Sequence, residues 1–228
     1  MEEEEHGAAI RLRTVSVVDA AADALRQMIL DGVLEPGERL RETDFSRRLG
    51  IARHTFRAAT QILIGEGLLR RSPNRGVQLA VLDADDIADI FRLRSALELE
   101  AVRQVIRSGA PIPAAENAVA RLNQLPASAP WRSVVDADMD FHRAVIDATG
   151  SERMTRAYAS VQSEILLCMA QLKPHYDHPD EVAQEHRELL EPLVDGDMKL
   201  AEKRFRAHLD EATDNLTRAL NAREEVTI

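Results

Sequence analysis

Residues 39–81 read RLRETDFSRRLGIARHTFRAATQILIGEGLLRRSPNRGVQLAV. Two helical periods and then two strands are written into this stretch. Phe45 and Leu49 stand i, i+4 in a short first helix, for which Thr43 is the expected N-cap and Gly50 the terminator. A second helix opens at Ala52 or Arg53 and runs to about Gly67, with Phe56, Ala59, Ile62 and Leu63 as its inward stripe. Leu68 to Ser72 and Val77 to Val81 then read as strands, joined by Pro73-Asn74-Arg75-Gly76, whose Asn and Gly suit the positive φ of a tight turn. The order predicts a winged helix-turn-helix with a basic wing tip.

The exposed start of the second helix carries Arg53, His54, Thr55 and Arg57, the place from which a recognition helix reaches base edges. An arginine fork can bond a guanine edge in two places, so Arg53 and Arg57 are the base-contact candidates, with Arg75 at the hairpin tip. Helix-turn-helix geometry also occurs in cores, and an arginine cluster is often only a solvated face. Turn, helix, wing and charge agree over about forty residues, which decides for DNA.

The chain has 228 residues, 45% apolar and 30% charged, enough for two modest domains. Its net charge of −10 hides an asymmetry. Residues 10–80 hold 12 Arg against 8 Asp and Glu, residues 81–228 hold 17 Lys and Arg against 27 Asp and Glu, and Glu2 to Glu5 add a further acidic run. A basic segment followed by an acidic one marks two jobs. The expected organisation is a disordered acidic tail over 1–9, a DNA-binding domain over 10–82 and a helical effector-binding and dimerisation domain over 83–228. No apolar run approaches the ~20 residues of a membrane span and the opening lacks a signal-peptide pattern, so a cytoplasmic protein without a membrane partner is expected. Cys168 lies within Ile165-Leu166-Leu167-Cys168-Met169 and is expected to be a buried thiol. Aromatic residues make up only 4%, and no phosphate-cradling glycine loop occurs, which favours duplex DNA over single strands or nucleotides.

Before the quoted stretch, Val17 to Leu30 has helical spacing and is broken by Asp31-Gly32 and Pro36-Gly37. After it the pattern is helical throughout: Asp85 to Ser108, Pro113 to Leu125, Trp131 to Ala148, Glu152 to Leu172, Asp180 to Val194 and Met198 to Ala222. The fold expected is mainly α, a winged helix-turn-helix followed by an all-α bundle of six to seven helices. Leu82 to Asp85 forms the junction, with an Asp available to cap the next helix.

Polar residues stand on apolar stripes in that bundle. Asp138 and His142 are one turn apart on the stripe Val134/Val135, Phe141, Val145; His186 lies on Val182, Leu189, Leu193; His208 lies on Ala201, Phe205, Ala212. If the last two helices turn back at Asp195-Gly196-Asp197, His186 and His208 fall at one level, roughly 15 to 18 Å from the bend. One Asp and three His form an oxygen-and-nitrogen set suited to Zn, Ni, Mn or Fe. A lone histidine on an apolar face is usually a hydrogen-bonded core residue, but four such groups argue together for a metal. Arg94 can clamp a carboxylate if it points inward, a surface or inter-helix salt bridge being the alternative. His175 and His178 sit in the polar loop KPHYDHPD and are left out. Pro192 should kink or end its helix. A metal-dependent enzyme is a rival reading, with Asp140 as its one candidate base.

Taken together, Ile29-Leu30-Asp31-Gly32, Pro36-Gly37-Glu38-Arg39-Leu40, Leu49-Gly50-Ile51-Ala52-Arg53, Glu66-Gly67-Leu68, Asn74-Arg75-Gly76, Arg94 with Leu97-Glu98, Asp138, Phe141-His142, Glu185-His186 and His208-Leu209 resemble the GntR family of transcription regulators, FadR type, with a C-terminal FCD domain. The resemblance covers about Val17 to Ala222. It implies a homodimer on a two-fold operator, operator contacts from Arg53, His54, Thr55 and Arg57, phosphate contacts from Arg47 and Arg48, and a wing approaching the minor groove at Gly76. It also implies a metal held by Asp138, His142, His186 and His208 beside a small carboxylate effector, the metal itself as signal being the alternative. The family commonly has Ser-Arg-Thr-Pro-Val-Arg-Glu-Ala-Leu where this chain has Ala52 to Thr60, so no operator sequence carries over.

Overall fold

The computed structural model describes residues 16–72, 76–172 and 179–226. Helix α1 (Val17–Leu30) starts at Ser16, whose side chain accepts from the Val18 N–H, and buries Ala21, Ala22, Leu25 and Ile29 on one face. Helices α2 (Glu42–Leu49) and α3 (Arg53–Gly65) follow, hinged at Gly50, which adopts φ 65 in the left-handed region. The N-cap of α2 is Arg41, not Thr43. Glu42 and Asp44 in the first turn complement the helix dipole, and the helix begins at Glu42 without a side-chain cap. Phe45 and Phe56 stack across the helix pair at 6.0 Å between centroids.

The wing is an antiparallel hairpin, β1 (Leu69–Ser72) with β2 (Gly76–Leu79), in the register Leu69 to Leu79 and Ser72 to Gly76. Both strands are shorter than the expected ones at their outer ends. Arg39 bridges to Gln78 and so lays the segment before α2 along the hairpin.

Among the described residues six helices make the second half: α4 (Ala84–Ser108), α5 (Pro113–Gln124), α6 (Trp131–Asp147), α7 (Glu152–Leu172), α8 (Pro179–Asp195) and α9 (Met198–Val226). Asp83 caps α4 in a reciprocal capping box with Asp86, which fixes the bundle's entry directly after the wing. Pro192 is buried inside α8, which continues for three residues beyond it. Helices α5 and α6, α4 and α9, and α5 and α8 pack as neighbours.

One apolar core is shared by the two halves. It runs from Leu25, Leu63 and Leu79 in the winged part to Met139, Ile165 and Leu216 in the bundle. A second, built on Val102, Phe141, Leu189 and Phe205, lies wholly within the bundle. Cys168 belongs to the shared core, where burial pushes its thiol up to about 12. Polar ties cross the same junction: Arg132 on α6 pairs with Asp31 at the end of α1, Gln171 on α7 donates to the Ala80 carbonyl at 3.0 Å, and Arg70 on the wing holds Asp86 at 3.0 Å. Gly67 has φ 75, which calls for glycine, and a Cβ there would also displace the end of the Glu164 side chain, now 2.5 Å from that position.

Candidate functional site

Helix α6 brings Asp138 and His142 to the middle of the bundle, α8 supplies His186 and α9 His208. One ligand atom from each of the four lies within 4.8 Å of the others. The rings of His142 and His208 stack at 5.1 Å, and His186 stands 5.3 Å from each, nearly perpendicular to both. Phe141 closes the cluster from the apolar side, edge-on to His142 at 5.2 Å and to His186 at 5.0 Å. Asp138, His142 and His186 are buried and the His208 side chain is 9% exposed.

The outer partners fix which ring nitrogens face inward. His186 Nδ1 lies 2.7 Å from the Val182 carbonyl, which can only accept, so Nδ1 carries the proton and Nε2 faces the cluster. His142 Nδ1 lies 2.7 Å from Glu98 Oε2 and donates to it, leaving Nε2 opposite His208 Nε2 at 3.2 Å. His208 Nδ1 has Glu185 Oε2 at 3.5 Å. Three ring nitrogens thus converge with a carboxylate. His186 Nε2 lies 3.1 Å from Asp138 Oδ1, within ion-pair range but forming no hydrogen bond. Among the described residues, Asp138 Oδ2, His186 Nε2 and Arg94 Nη2 are buried atoms with no hydrogen-bond partner. Such orphaned atoms are costly in a core unless something else satisfies them.

Electrostatics agree with this set. Burial brings His142 down to about 4 despite Glu98, and burial with the charge of His186 brings His208 down to about 3. Both rings are therefore neutral at physiological pH, the form that ligates a metal. Burial also acts against a charge on His186, but contact with Asp138 outweighs it and raises the pKa. Burial would lift the Asp138 carboxyl; His186, His142 and Arg94 together hold it well below its ordinary range.

Arg94 points inward and is 1% exposed, with its Nε on Glu98 Oε1 at 2.7 Å. The inward orientation that a carboxylate clamp needs is therefore present, and the salt bridge is neither at the surface nor between helices but within α4. Glu98 had no assigned role in the sequence, yet it ties the region together: Oε1 accepts from Arg94 and from the Tyr158 hydroxyl at 3.0 Å, and Oε2 from His142. Its place four residues after Arg94 on the inward stripe of α4 is the signal that was available. Asp140, the candidate base, faces away and pairs with Arg121.

The winged part presents a recess of about 630 Å³ lined by Arg39, Arg41, Arg53, Arg57 and Arg71 together with Glu42. Arg53, His54 and Arg57 are exposed, as are Arg47 and Arg48 on α2. Thr55 is not: it is 6% exposed, because the inward face of α3 is wider than the expected stripe and takes in Thr55 and Thr60 beside Phe56, Ala59 and Leu63. Gly76 has φ 78, and a Cβ there would meet only ordinary contact with Arg39, so the wing needs glycine at this position for conformation rather than for room. Arg75, the acidic tail, His175 and His178 lie outside the described residues. Arg39, Arg41 and Arg71 were not singled out in the sequence; only the hairpin geometry brings them beside α3.

Residues 18–79 match the bacterial regulatory proteins of the gntR family, and residues 89–211 match the FCD domain. The chain belongs to the GntR family of transcription regulators and carries an FCD domain. It is 25% identical over 205 residues to the HTH-type transcriptional regulator YdhC of Bacillus subtilis (strain 168), covering 88% of this chain and 91% of that protein. It is 26% identical over 201 residues to a protein described as a D-xylose utilization operon repressor in Paenarthrobacter nicotinovorans, covering 87% of this chain and 88% of that one. Among solved structures it is similar to a GntR regulator from Rhodococcus sp. RHA1, with TM-score 0.77 and 27% identity over 87% of this chain and 96% of that one. It also shares the fold of a metal-free FCD domain, with TM-score 0.56 and 21% identity over 63% of this chain and 99% of that one. Family and relatives are transcription regulators rather than enzymes. Among the described residues no helix of this GntR regulator is long and apolar enough to cross a membrane.

Proposed function

We propose that this GntR regulator is a ligand-responsive repressor, acting as a homodimer on a two-fold operator, whose helical domain (83–228) holds a divalent metal beside a small carboxylate and whose winged domain (10–82) reads duplex DNA. The convergence of Asp138, His142, His186 and His208 within 4.8 Å, with Asp138 Oδ2 and His186 Nε2 buried without a hydrogen-bond partner, carries the metal part. The donor set suits Zn, Ni, Mn or Fe, and the buried Cys168, held protonated in another cluster, is no competitor for it. When bound, the metal supplies a Lewis-acidic centre with coordination positions left for an effector carboxylate. The chain's own groups do the orienting: Glu98 holds the His142 ring, the Val182 carbonyl holds the His186 ring, and Arg94 Nη2 is a buried cationic donor available to an anion.

In the winged domain, Arg53 and Arg57 are the base readers and Arg47 and Arg48 the phosphate holders, with Arg75 and Gly76 on the wing. His54, exposed at the start of α3, is a further operator contact. The buried Thr55 serves packing. Signal transfer follows the elements common to both halves. Helix α6 carries Asp138, His142 and the Arg132 that pairs with Asp31; helix α7 carries the Tyr158 bonded to Glu98 and the Gln171 bonded to Ala80. An effector that binds two arrangements of α6 and α7 unequally shifts the winged domains between operator-competent and released placements.

Elemental analysis of untagged, dialysed protein tests the site, comparing wild type with the His186→Ala/His208→Ala variant. About one metal per chain is expected, lost in a variant that keeps its helicity. Small carboxylates are then screened for operator release. Absence of metal from both proteins would overturn the ligand assignment. The near-complete burial of the cluster favours a second reading, in which the metal is itself the signal; operator release that follows metal concentration without any acid would establish it.

A further inference from the structure

Arg57 does not project freely from α3. Its Nε donates to Glu42 Oε2 at 2.8 Å, although its side chain is 71% exposed and no burial compels the pairing. An arginine held through Nε keeps its two terminal nitrogens, and these are the pair that can meet a guanine edge end-on. Glu42 is itself well placed to hold it. It occupies the first turn of α2, where the helix dipole favours a carboxylate. Its second oxygen, Oε1, is shielded from solvent and has no hydrogen-bond partner. The hydrogen bond from Arg57, then the charges of Arg57 and Arg53, keep this carboxyl below its ordinary range and so ionised at neutral pH.

Arg53 stands one turn before Arg57 on α3, and both line the recess that also takes Arg39, Arg41 and Arg71. In a recess facing a polyanion, a carboxylate repels phosphate and weakens binding to every sequence alike. Its presence among five arginines calls for a positive role.

We propose that Glu42 is a positioning residue for sequence reading: it holds the Arg57 guanidinium by Nε with the terminal nitrogens free for a base, and offers its unpartnered oxygen to Arg53 as DNA fills the recess. The proposal rests on α3 being the recognition helix. It separates two tasks, discrimination from Arg53, Arg57 and Glu42, and general affinity from Arg39, Arg41 and Arg71.

The test uses the full chain and a duplex that the wild-type protein selects from a random-sequence pool, with a scrambled duplex of equal length for comparison. Affinities for both are measured for wild type, E42A, E42Q and E42D. In E42A the ratio of selected to scrambled affinity should fall about tenfold, from weaker selected binding, with scrambled binding unchanged or tighter. The fall should be smaller in E42Q, which keeps an acceptor, and E42D should recover part of the ratio. If E42A is poorly folded, the isosteric E42Q decides. A ratio equal to wild type in E42Q and E42A, with both duplexes bound more tightly, would overturn the proposal and leave Glu42 as a repelling charge only. A wild-type protein that selects no sequence would remove the recognition-helix assignment first, and the proposal with it.

Discussion

Two arginine–glutamate pairs, one in each half of the chain, use the same chemistry in opposite settings. Arg57 and Glu42 meet at the DNA-facing surface with side chains 71% and 28% exposed; Arg94 and Glu98 meet inside the bundle at 1% and 0%. At the surface, water and salt make either partner replaceable, so the pair can open to a phosphate or a base at little cost. In the core neither charge can be released without leaving the other stranded, so the pair behaves as framework. What differs is exchangeability: the exposed pair can take part in a binding event, whereas the buried one holds other groups in place while binding occurs beside it.

The largest effect is expected from breaking the buried pair. Glu98→Ala removes the acceptor of Arg94, Tyr158 and His142 together. A loss of about 3–5 kcal/mol is expected for stranding a buried charge. Thermal melting in the presence of a chelator, so that metal binding does not contribute, should show a fall of roughly 10 °C. The paired replacement Arg94→Met/Glu98→Leu should melt well above Glu98→Ala, since neither charge is then left unpaired. A Glu98→Ala protein that melts like wild type would break the contrast, because the buried pair would then be as replaceable as the surface one.

Next in size is the functional cost of removing the surface arginine. Arg57→Ala should weaken binding to the selected duplex about ten- to a hundredfold while the melting curve stays unchanged. The loss should come partly from Glu42, left ionised and unpaired toward DNA. In an Arg57→Ala/Glu42→Ala double variant part of the general affinity should therefore return, without the discrimination. An unchanged affinity in Arg57→Ala would remove its reading role.

The same contrast explains what the sequence could and could not show. Phe45, Phe56, Ala59 and Leu63 announce their helices because amphipathic periodicity is local, and Asp138, His142 and His186 are conspicuous because they interrupt apolar stripes. The antiparallel return of α8 and α9 follows from a Gly-containing turn, so the meeting of His186 with His208 was also legible. The partner of a charge is another matter. Glu42 reaches Arg57 across 15 positions and Glu98 reaches His142 across 44, and both depend on how helices cross rather than on any spacing. Thr55 was misjudged for a smaller reason: one position decides whether the edge of a helical stripe faces solvent, and here the edge lies one residue farther round. Thr43 was misjudged because the acidic first turn of α2 starts the helix earlier than a side-chain cap would.

A third glutamate falls between the two extremes and gives the smallest effect. Glu164 on α7 is half-buried against Gly67 at the junction of the winged helix with the bundle. Burial raises its pKa; the charge of Arg70, itself paired with Asp86, opposes this, and the charges of Asp86 and Asp89 add smaller pushes in the same direction as burial. A carboxyl raised in the folded state stabilises the fold fully below its unfolded pKa, and that contribution is lost as pH rises through the folded value. As pH rises through that value Glu164 takes on a charge that burial disfavours, a cost that a glutamine does not carry. Glu164→Gln should raise the melting temperature at pH 7 by less than about 2 °C and leave it unchanged at pH 3.5, where wild type is protonated as well. Stabilisation of equal size at both pH values would assign the gain to packing at Gly67. A loss at pH 7 would show that Arg70 serves Glu164 as a partner, placing this carboxylate with the exchangeable surface pair instead of between the two.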